Sequence, residues 1–186
     1  DQAEGNSGNR SFTFTVSRSG FEASTVAATW EVIGSGLNPA SGADFGGSYP
    51  SGVVILASGE TSKTIGVNVR EDTTAEPDEG FTVTLSNPSV GAILGTASAS
   101  GIIRNDDTNL SIAAAVADQA EGHSGSTGYT FTVTRSGDTS GASSAVWTVA
   151  GVTGLGLHPV SASDFTGGLL PTGTVSFAAG ETTKTV

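Results

Sequence analysis

The chain repeats itself. Asp1-Gln2-Ala3-Glu4-Gly5 returns as Asp118-Gln119-Ala120-Glu121-Gly122, and Phe12-Thr13-Phe14-Thr15-Val16 returns as Tyr129-Thr130-Phe131-Thr132-Val133. Arg18-Ser19-Gly20 returns as Arg135-Ser136-Gly137, and Gly59-Glu60-Thr61 as Gly180-Glu181-Thr182. Trp30 pairs with Trp147, Pro39 with Pro159, and Asp44-Phe45 with Asp164-Phe165. The offset grows from 117 (Asp1 to Asp118) to 121 (Gly59 to Gly180) through small loop insertions. Solenoid repeats run about 20–50 residues, so a period this long reads as a tandem array of whole domains. Residues 110–117 would have their counterpart before residue 1, and residues 66–107 would have theirs after residue 186. The expectation is a window cut from a longer array. Repeat one then spans 1–108 without its first strand, and repeat two spans 109–186 without its C-terminal strands.

Within each repeat the local pattern is strand. Phe12, Phe14 and Val16 alternate with Thr13, Thr15 and Ser17; Ile65, Val67 and Val69 alternate with polar or small residues, as do Phe81, Val83 and Leu85. A period of two marks strands half-buried against a core. The repeat settles one ambiguous run. Val53-Val54-Ile55-Leu56 is apolar throughout, but its counterpart is Thr174-Val175-Ser176-Phe177, so the core face is Val54, Leu56, Val175 and Phe177. Strands are predicted near 11–18, 25–33, 52–57, 62–70, 80–86 and 96–104, with a first strand like 110–117. Seven short strands separated by Gly, Pro, Ser and Asp read as an all-β chain of tandem antiparallel β-sandwiches.

Charge narrows the partners. The chain carries 18 Asp+Glu against 7 Lys+Arg, a formal net charge of -11. Phosphate backbones and anionic membranes need clustered cations, so nucleic acid is excluded as a partner. The longest uncharged apolar run, Ile112 to Ala117, is far short of the roughly 20 residues that span a bilayer, so no direct membrane insertion is expected. There are no cysteines, which excludes disulfides and thiolate metal sites.

The carboxylates are unevenly placed. Glu71, Asp72, Glu76, Asp78 and Glu79 fall on one loop between two strands, and Asp106-Asp107 follow the last strand of the repeat. Antiparallel strand-counting puts that strand's end at the same pole as the acidic loop. Glu4 lies in an early turn and Asp44 in the long loop after Trp30. Two carboxylates about 5 Å apart repel by roughly 3 kcal/mol at an effective dielectric near 20. Arg70 and Arg104 are the cations nearest in sequence. A bound Ca²⁺, which takes 6–8 oxygen ligands, offsets such repulsion. A solvated acidic loop is the alternative. The run matches neither an EF-hand nor a Gly-Gly-x-Gly-x-Asp nonapeptide.

The stretch Glu71-Asp72-Thr73-Thr74-Ala75-Glu76-Pro77-Asp78-Glu79-Gly80-Phe81-Thr82-Val83-Thr84-Leu85-Ser86-Asn87-Pro88 resembles the signature of the Calx-beta domain family. So does the ending Gly101-Ile102-Ile103-Arg104-Asn105-Asp106-Asp107, together with Glu4-Gly5, Asp44-Phe45 and Gly59-Glu60-Thr61. The resemblance covers one nearly complete copy and one partial copy. It implies an immunoglobulin-like sandwich of about seven strands per repeat. It also implies Ca²⁺ held at the pole near the C-terminal exit by Glu4, Asp44, Glu71, Asp72, Glu76, Glu79, Asp106 and Asp107. In repeat two only Glu121 and Asp164 of that set occur. Two positions depart from the family pattern. Asn105 stands where calcium-binding relatives often carry a third Asp, and Glu71 stands where Asp is common.

Catalysis has little support in the residues. The two histidines, His123 and His158, correspond to Asn6 and Asn38 in repeat one and read as loop residues. Glu76 with Asp78 or Glu79 is a formal glycosidase pair, but two Trp and two Tyr are too few to line a sugar cleft. The chain is therefore expected to be no enzyme. The main reading is a calcium-binding structural or adhesive repeat of a long protein, extracellular or at the cell surface, with metal clamping the joint to the neighbouring repeat. Its partners would be neighbouring repeats, further copies in a homopolymer, or cell-surface ligands. The alternatives are a metal-independent spacer or self-assembling extracellular fibre subunit, and a regulatory calcium sensor domain of a membrane transporter.

Overall fold

The computed structural model describes residues 1–20, 23–153 and 158–186. The chain divides into two compact units, Asp1–Asp107 and Thr108–Val186. Among the described residues the only helical pieces are 3₁₀ turns at Ala43–Phe45 and Ala162–Asp164, and no helix is long and apolar enough to cross a membrane.

The first unit holds β1 (Gln2–Ala3), β2 (Gly8–Ser17), β3 (Val26–Ser35), β4 (Ser51–Leu56), β5 (Ser62–Glu71), β6 (Glu79–Ser86) and β7 (Ser98–Arg104). They form a five-stranded sheet in the order β1-β7-β6-β3-β4 and a two-stranded sheet β2-β5. All neighbours are antiparallel except β1, which runs parallel to β7 with Gln2 opposite Ile103. The sequence pattern puts Glu4 in an early turn and predicts no strand before residue 11. The structure instead has a short strand there, because two residues are too few to display a period and the pairing is made with a strand a hundred residues away.

The alternating residues close the core. Phe12, Ile65, Val67 and Val69 come from the small sheet, and Val32, Val54, Leu56, Phe81, Val83 and Ile103 from the large one; all are buried. Phe81 is the centre. The rings of Phe12, Phe45 and Phe14 meet it edge-on at 5.3, 5.5 and 5.8 Å between centroids, a favoured aromatic arrangement. The cross-strand partner of Phe81 is Gly101, and a Cβ there would overlap the Phe81 Cζ. Trp30 is half-buried against the core and lies over its cross-strand partner Gly52.

The second unit holds β8 (Thr108–Val116), β9 (Thr130–Gly137), β10 (Ser143–Thr148), β11 (Thr172–Phe177) and β12 (Thr183–Thr185). They form sheets β12-β9-β8 and β10-β11. Its buried hydrophobic cluster is Val133, Val175 and Phe177, with Leu110, Ala145, Trp147 and Val186 packed against it. Trp147 lies over Gly173 as Trp30 lies over Gly52.

Candidate metal centre

Four chain segments bring carboxylates to one pole of the first unit. The parallel β1–β7 pairing continues through a hydrogen bond from the Glu4 N–H to the Arg104 carbonyl, 3.0 Å. It sets Glu4 beside the exit of β7, where Asp107 follows. Asp72 follows β5, and Glu79 opens β6. The loop after β3 is tied to β6 by Ala40 N–H to Gly80 O and Gly80 N–H to Asn38 O, 2.9 and 2.8 Å. Phe45, wedged against Phe81, fixes the 3₁₀ turn that carries Asp44.

The carboxylates converge in two triads. Glu4, Asp72 and Asp107 offer oxygens that all lie within 4.8 Å of one another, and so do Asp44, Glu76 and Glu79. Two oxygens on opposite sides of a Ca²⁺, each at 2.3–2.6 Å, stand about 4.8 Å apart, so each triad matches the span of one coordination sphere. Glu4 and Asp107 are 7% and 5% exposed. Glu4 Oε1 and Asp107 Oδ2 are enclosed without a hydrogen-bond partner. A buried carboxylate left in this state costs several kcal/mol unless it is neutralised.

The electrostatics agree. Burial, with the charges of Asp72, Glu76, Asp107 and Asp106, pushes the Glu4 carboxyl up to about 7. Burial, with the charges of Asp44 and Glu76 and a hydrogen bond to Asp44, pushes Glu79 up to about 7. Glu76 is raised by burial and by Asp44, Asp72 and Asp107, so it feels both triads. Asp107 is raised by burial, then by Asp106 and Asp72. Asp72 is held below its ordinary value by hydrogen bonds from Thr74, with Arg70 contributing. It is the fixed negative charge against which its neighbours take up protons. The ion pairs of this pole run elsewhere: Arg104 to Asp1 and Asp78, and Arg10 to Glu71. All six triad donors are oxygens, a set that suits Ca²⁺ or Mg²⁺ and not Zn²⁺.

Six of the ten residues singled out in sequence thus come together, and four do not. Glu71 shares the inward phase of Ile65, Val67 and Val69 on β5, where Arg10, in phase with Phe12 on β2, meets it at 3.3 Å. Its charge is already matched. Asp106 belongs to neither triad and accepts the Gly5 N–H at 3.1 Å. Asp164 accepts the Ser161 N–H at 2.7 Å and caps its own 3₁₀ turn. Glu121 joins no carboxylate group among the described residues. Residues 108–186 hold no counterparts of Asp72, Glu76, Glu79 and Asp107.

Asn105 and Asp78, both noted in the sequence but not as ligands, organise the site. Asn105 Oδ1 accepts the N–H groups of Glu76 and Asp107, at 3.0 and 3.4 Å, and its Nδ2 donates to the Asp107 carbonyl at 3.1 Å. One amide therefore ties the acidic loop to the exit segment. Asp78 accepts the Asn105 N–H at 3.1 Å and the Arg104 guanidinium. The signals were the run Asn105-Asp106-Asp107 and the acidic loop that holds Asp78, but a short polar run does not reveal which members organise and which face the cavity.

The Calx-beta domain family model matches residues 6–108. No curated protein matches the chain. Among solved structures, the calcium binding domain CBD12 of CALX1.1 is similar, with a TM-score of 0.52 and 22% identity over 95% of this chain and 67% of that one. CBD12 from CALX1.2 gives a TM-score of 0.51 and 22% identity over 95% of this chain and 68% of that one. The apo form of the Calx CBD1 domain covers 52% of this chain at 26% identity and a TM-score of 0.47.

Proposed function

The chain belongs to the Calx-beta domain family, and from that premise we propose that its first unit binds Ca²⁺ at the two carboxylate triads and works as a calcium-responsive regulatory unit. The observation that carries this reading is the pair of enclosed, unpartnered oxygens, Glu4 Oε1 and Asp107 Oδ2, beside the ionised Asp72. Calcium supplies the positive charge that these groups lack.

The rest follows from where the ligands sit. Without metal, Glu4 and Glu79 relieve the repulsion by holding protons near neutrality. Calcium replaces those protons and pulls four segments together: the end of β1, the turn that carries Asp44, the loop from Asp72 to Glu79, and the exit at Asp107. Asn105 and Asp78 hold that loop and exit in register so that few rotamers are lost on binding. Occupancy is thereby converted into the order of one loop and of the strand that leaves the unit. The family match over residues 6–108, and the name calcium binding domain carried by the similar CBD12 of CALX1.1, support calcium as the ligand.

Thermal unfolding in chelator, in millimolar Ca²⁺ and in matched Mg²⁺ tests the site. A ligand at 100 times its dissociation constant adds about 2.7 kcal/mol, on the order of ten degrees for a unit of this size. Asp72→Asn with Asp107→Asn should abolish the rise. No calcium-specific rise at several millimolar would leave the pole a solvated acidic surface.

A second reading uses the same site structurally, as the stiffening element of an extracellular repeat protein. What favours it is that a ligand, Asp107, is the last residue of the first unit, so calcium fixes the segment from which the next repeat continues. Small-angle scattering separates the two uses. A structural joint narrows the distribution of interdomain spread on adding calcium, and the Asp72→Asn/Asp107→Asn variant does not. If both narrow alike, the joint is not made by this site.

A further inference from the structure

We infer that Asn105 is the positioning residue of this pole: its side-chain amide closes the acidic loop onto the exit segment without help from metal, and ties one ligand of each triad to the other. This closure serves the calcium binding proposed above and rests on that reading for its purpose, not for its existence.

The loop needs such a tie. Residues 72–78 belong to no strand. The stretch from Glu71 to Glu79 carries five carboxylates in nine residues and no Lys, Arg or His. Like charges this close drive a loop open. Among the described residues, the middle of the loop, 73–77, makes one hydrogen bond that reaches beyond the loop: the Glu76 N–H to Asn105 Oδ1, at 3.0 Å. The Thr74 N–H turns back to Asp72, and Pro77 has no N–H to give.

The same amide oxygen has a second donor. The Asp107 N–H reaches it at 3.4 Å, and Asn105 Nδ2 donates to the Asp107 carbonyl at 3.1 Å. Glu76 belongs to one triad and Asp107 to the other, so one side chain holds the backbone of a ligand from each. Asn105 is itself fixed. It follows β7 directly, two residues after the buried Ile103, and Asp78 Oδ1 accepts its N–H at 3.1 Å. Loop and exit are thus bonded in both directions.

The chemistry requires an amide, which accepts and donates at once; an ionised carboxylate only accepts. Asp at 105 would still receive the two N–H groups, but it could not donate to the Asp107 carbonyl and would add charge beside Asp78 and Asp107. Asn105 closes the loop without adding to the repulsion. A site assembled this way loses less freedom when metal binds, and metal taken by either triad finds a ligand of the other already placed.

Amide exchange of the full chain, read residue by residue by NMR in chelator and in millimolar Ca²⁺, tests this role. In chelator the Glu76 N–H of the parent should already be protected. Asn105→Ala should speed its exchange by about tenfold, the worth of one hydrogen bond. Asn105→Asp keeps the acceptor and should restore most of the protection. The amides of Phe81 and Val83, in the middle of β6, should stay protected in all three chains; a merely structural role would loosen them together with Glu76. In calcium, Asn105→Ala should regain protection at Glu76, but at a higher calcium concentration than the parent needs. A parent whose Glu76 N–H exchanges freely until calcium is added would overturn the inference, because metal and not the amide would then close the loop. Equal protection of Glu76 in the parent and in Asn105→Ala would overturn it as well. If the chelator results hold and calcium alters no amide in any of the chains, the closure by Asn105 stands and it is the calcium reading that fails.

Discussion

At the residue scale the first unit is organised around charge that its own cations do not cancel. Glu4 and Glu79 both sit near 7, and Glu76 and Asp107 are also raised, all chiefly through burial. The consequence for stability has a definite sign. Between the ordinary carboxyl value of 4.5 and about 7 the folded, metal-free unit binds more protons than the unfolded chain, so its stability falls as pH rises through that window. With saturating calcium the bound carboxylates hold no protons, so stability is flat through that window and falls only as pH drops towards the ordinary carboxyl value of 4.5, where the unfolded chain takes protons up. Denaturant unfolding at pH 5, 6 and 7.5 should give a stability that falls with rising pH in chelator and does not fall in calcium; the same fall in both would show that the raised carboxyls are not the metal ligands. Much of this site was legible beforehand, since strand-counting alone put Asp72 and Asp107 at one pole. The separation of Glu71 from the triads was not legible. It depends on Arg10, whose relation to Glu71 comes from the β2–β5 register and not from any spacing along the chain.

At the element scale the strands were legible because a period of two is a direct image of one buried face. The repeat added what periodicity could not, as at Val54 and Leu56, where a uniformly apolar run was resolved by its polar-interrupted copy. β1 was missed because its evidence lies in β7. The elements also couple the core to the site. Phe81 holds Phe45, and Phe45 carries Asp44 into the second triad. Gly101 is the point at which this coupling can be tested, because a methyl group there meets the Phe81 ring. Gly101→Ala should destabilise the unit by about 1–3 kcal/mol through overpacking, and should weaken calcium binding at Asp44, Glu76 and Glu79. Gly95→Ala, where an added Cβ meets nothing within 4 Å, should leave both unchanged. Equal effects of the two substitutions in paired melting and calcium titrations would show that the ring stack does not position the site.

At the scale of the whole molecule the two units share a fold pattern and differ in what holds them. Among the described residues the first has twelve buried hydrophobics around Phe81, while the second has Val133, Val175 and Phe177. Stability scales with the apolar surface removed from water, about 25 cal/mol per Å², so two units of one sequence family should unfold at different points along a denaturant or temperature axis. The chain as a whole is then not two-state, and a single melting temperature would average two events. Calcium sharpens the distinction, because the triads belong only to the first unit and a ligand stabilises only the state that binds it. Differential scanning calorimetry should resolve a lower transition from residues 108–186 that calcium leaves in place, and an upper one from residues 1–107 that calcium moves upward. Hydrogen exchange assigns them: amides of β9 and β11 should exchange through the lower opening, and those of β3, β5 and β6 through the upper. If calcium instead moved both transitions by the same amount, the metal would be stabilising a contact shared by the two units, and the site would have to be placed on that contact and not within the first sandwich alone.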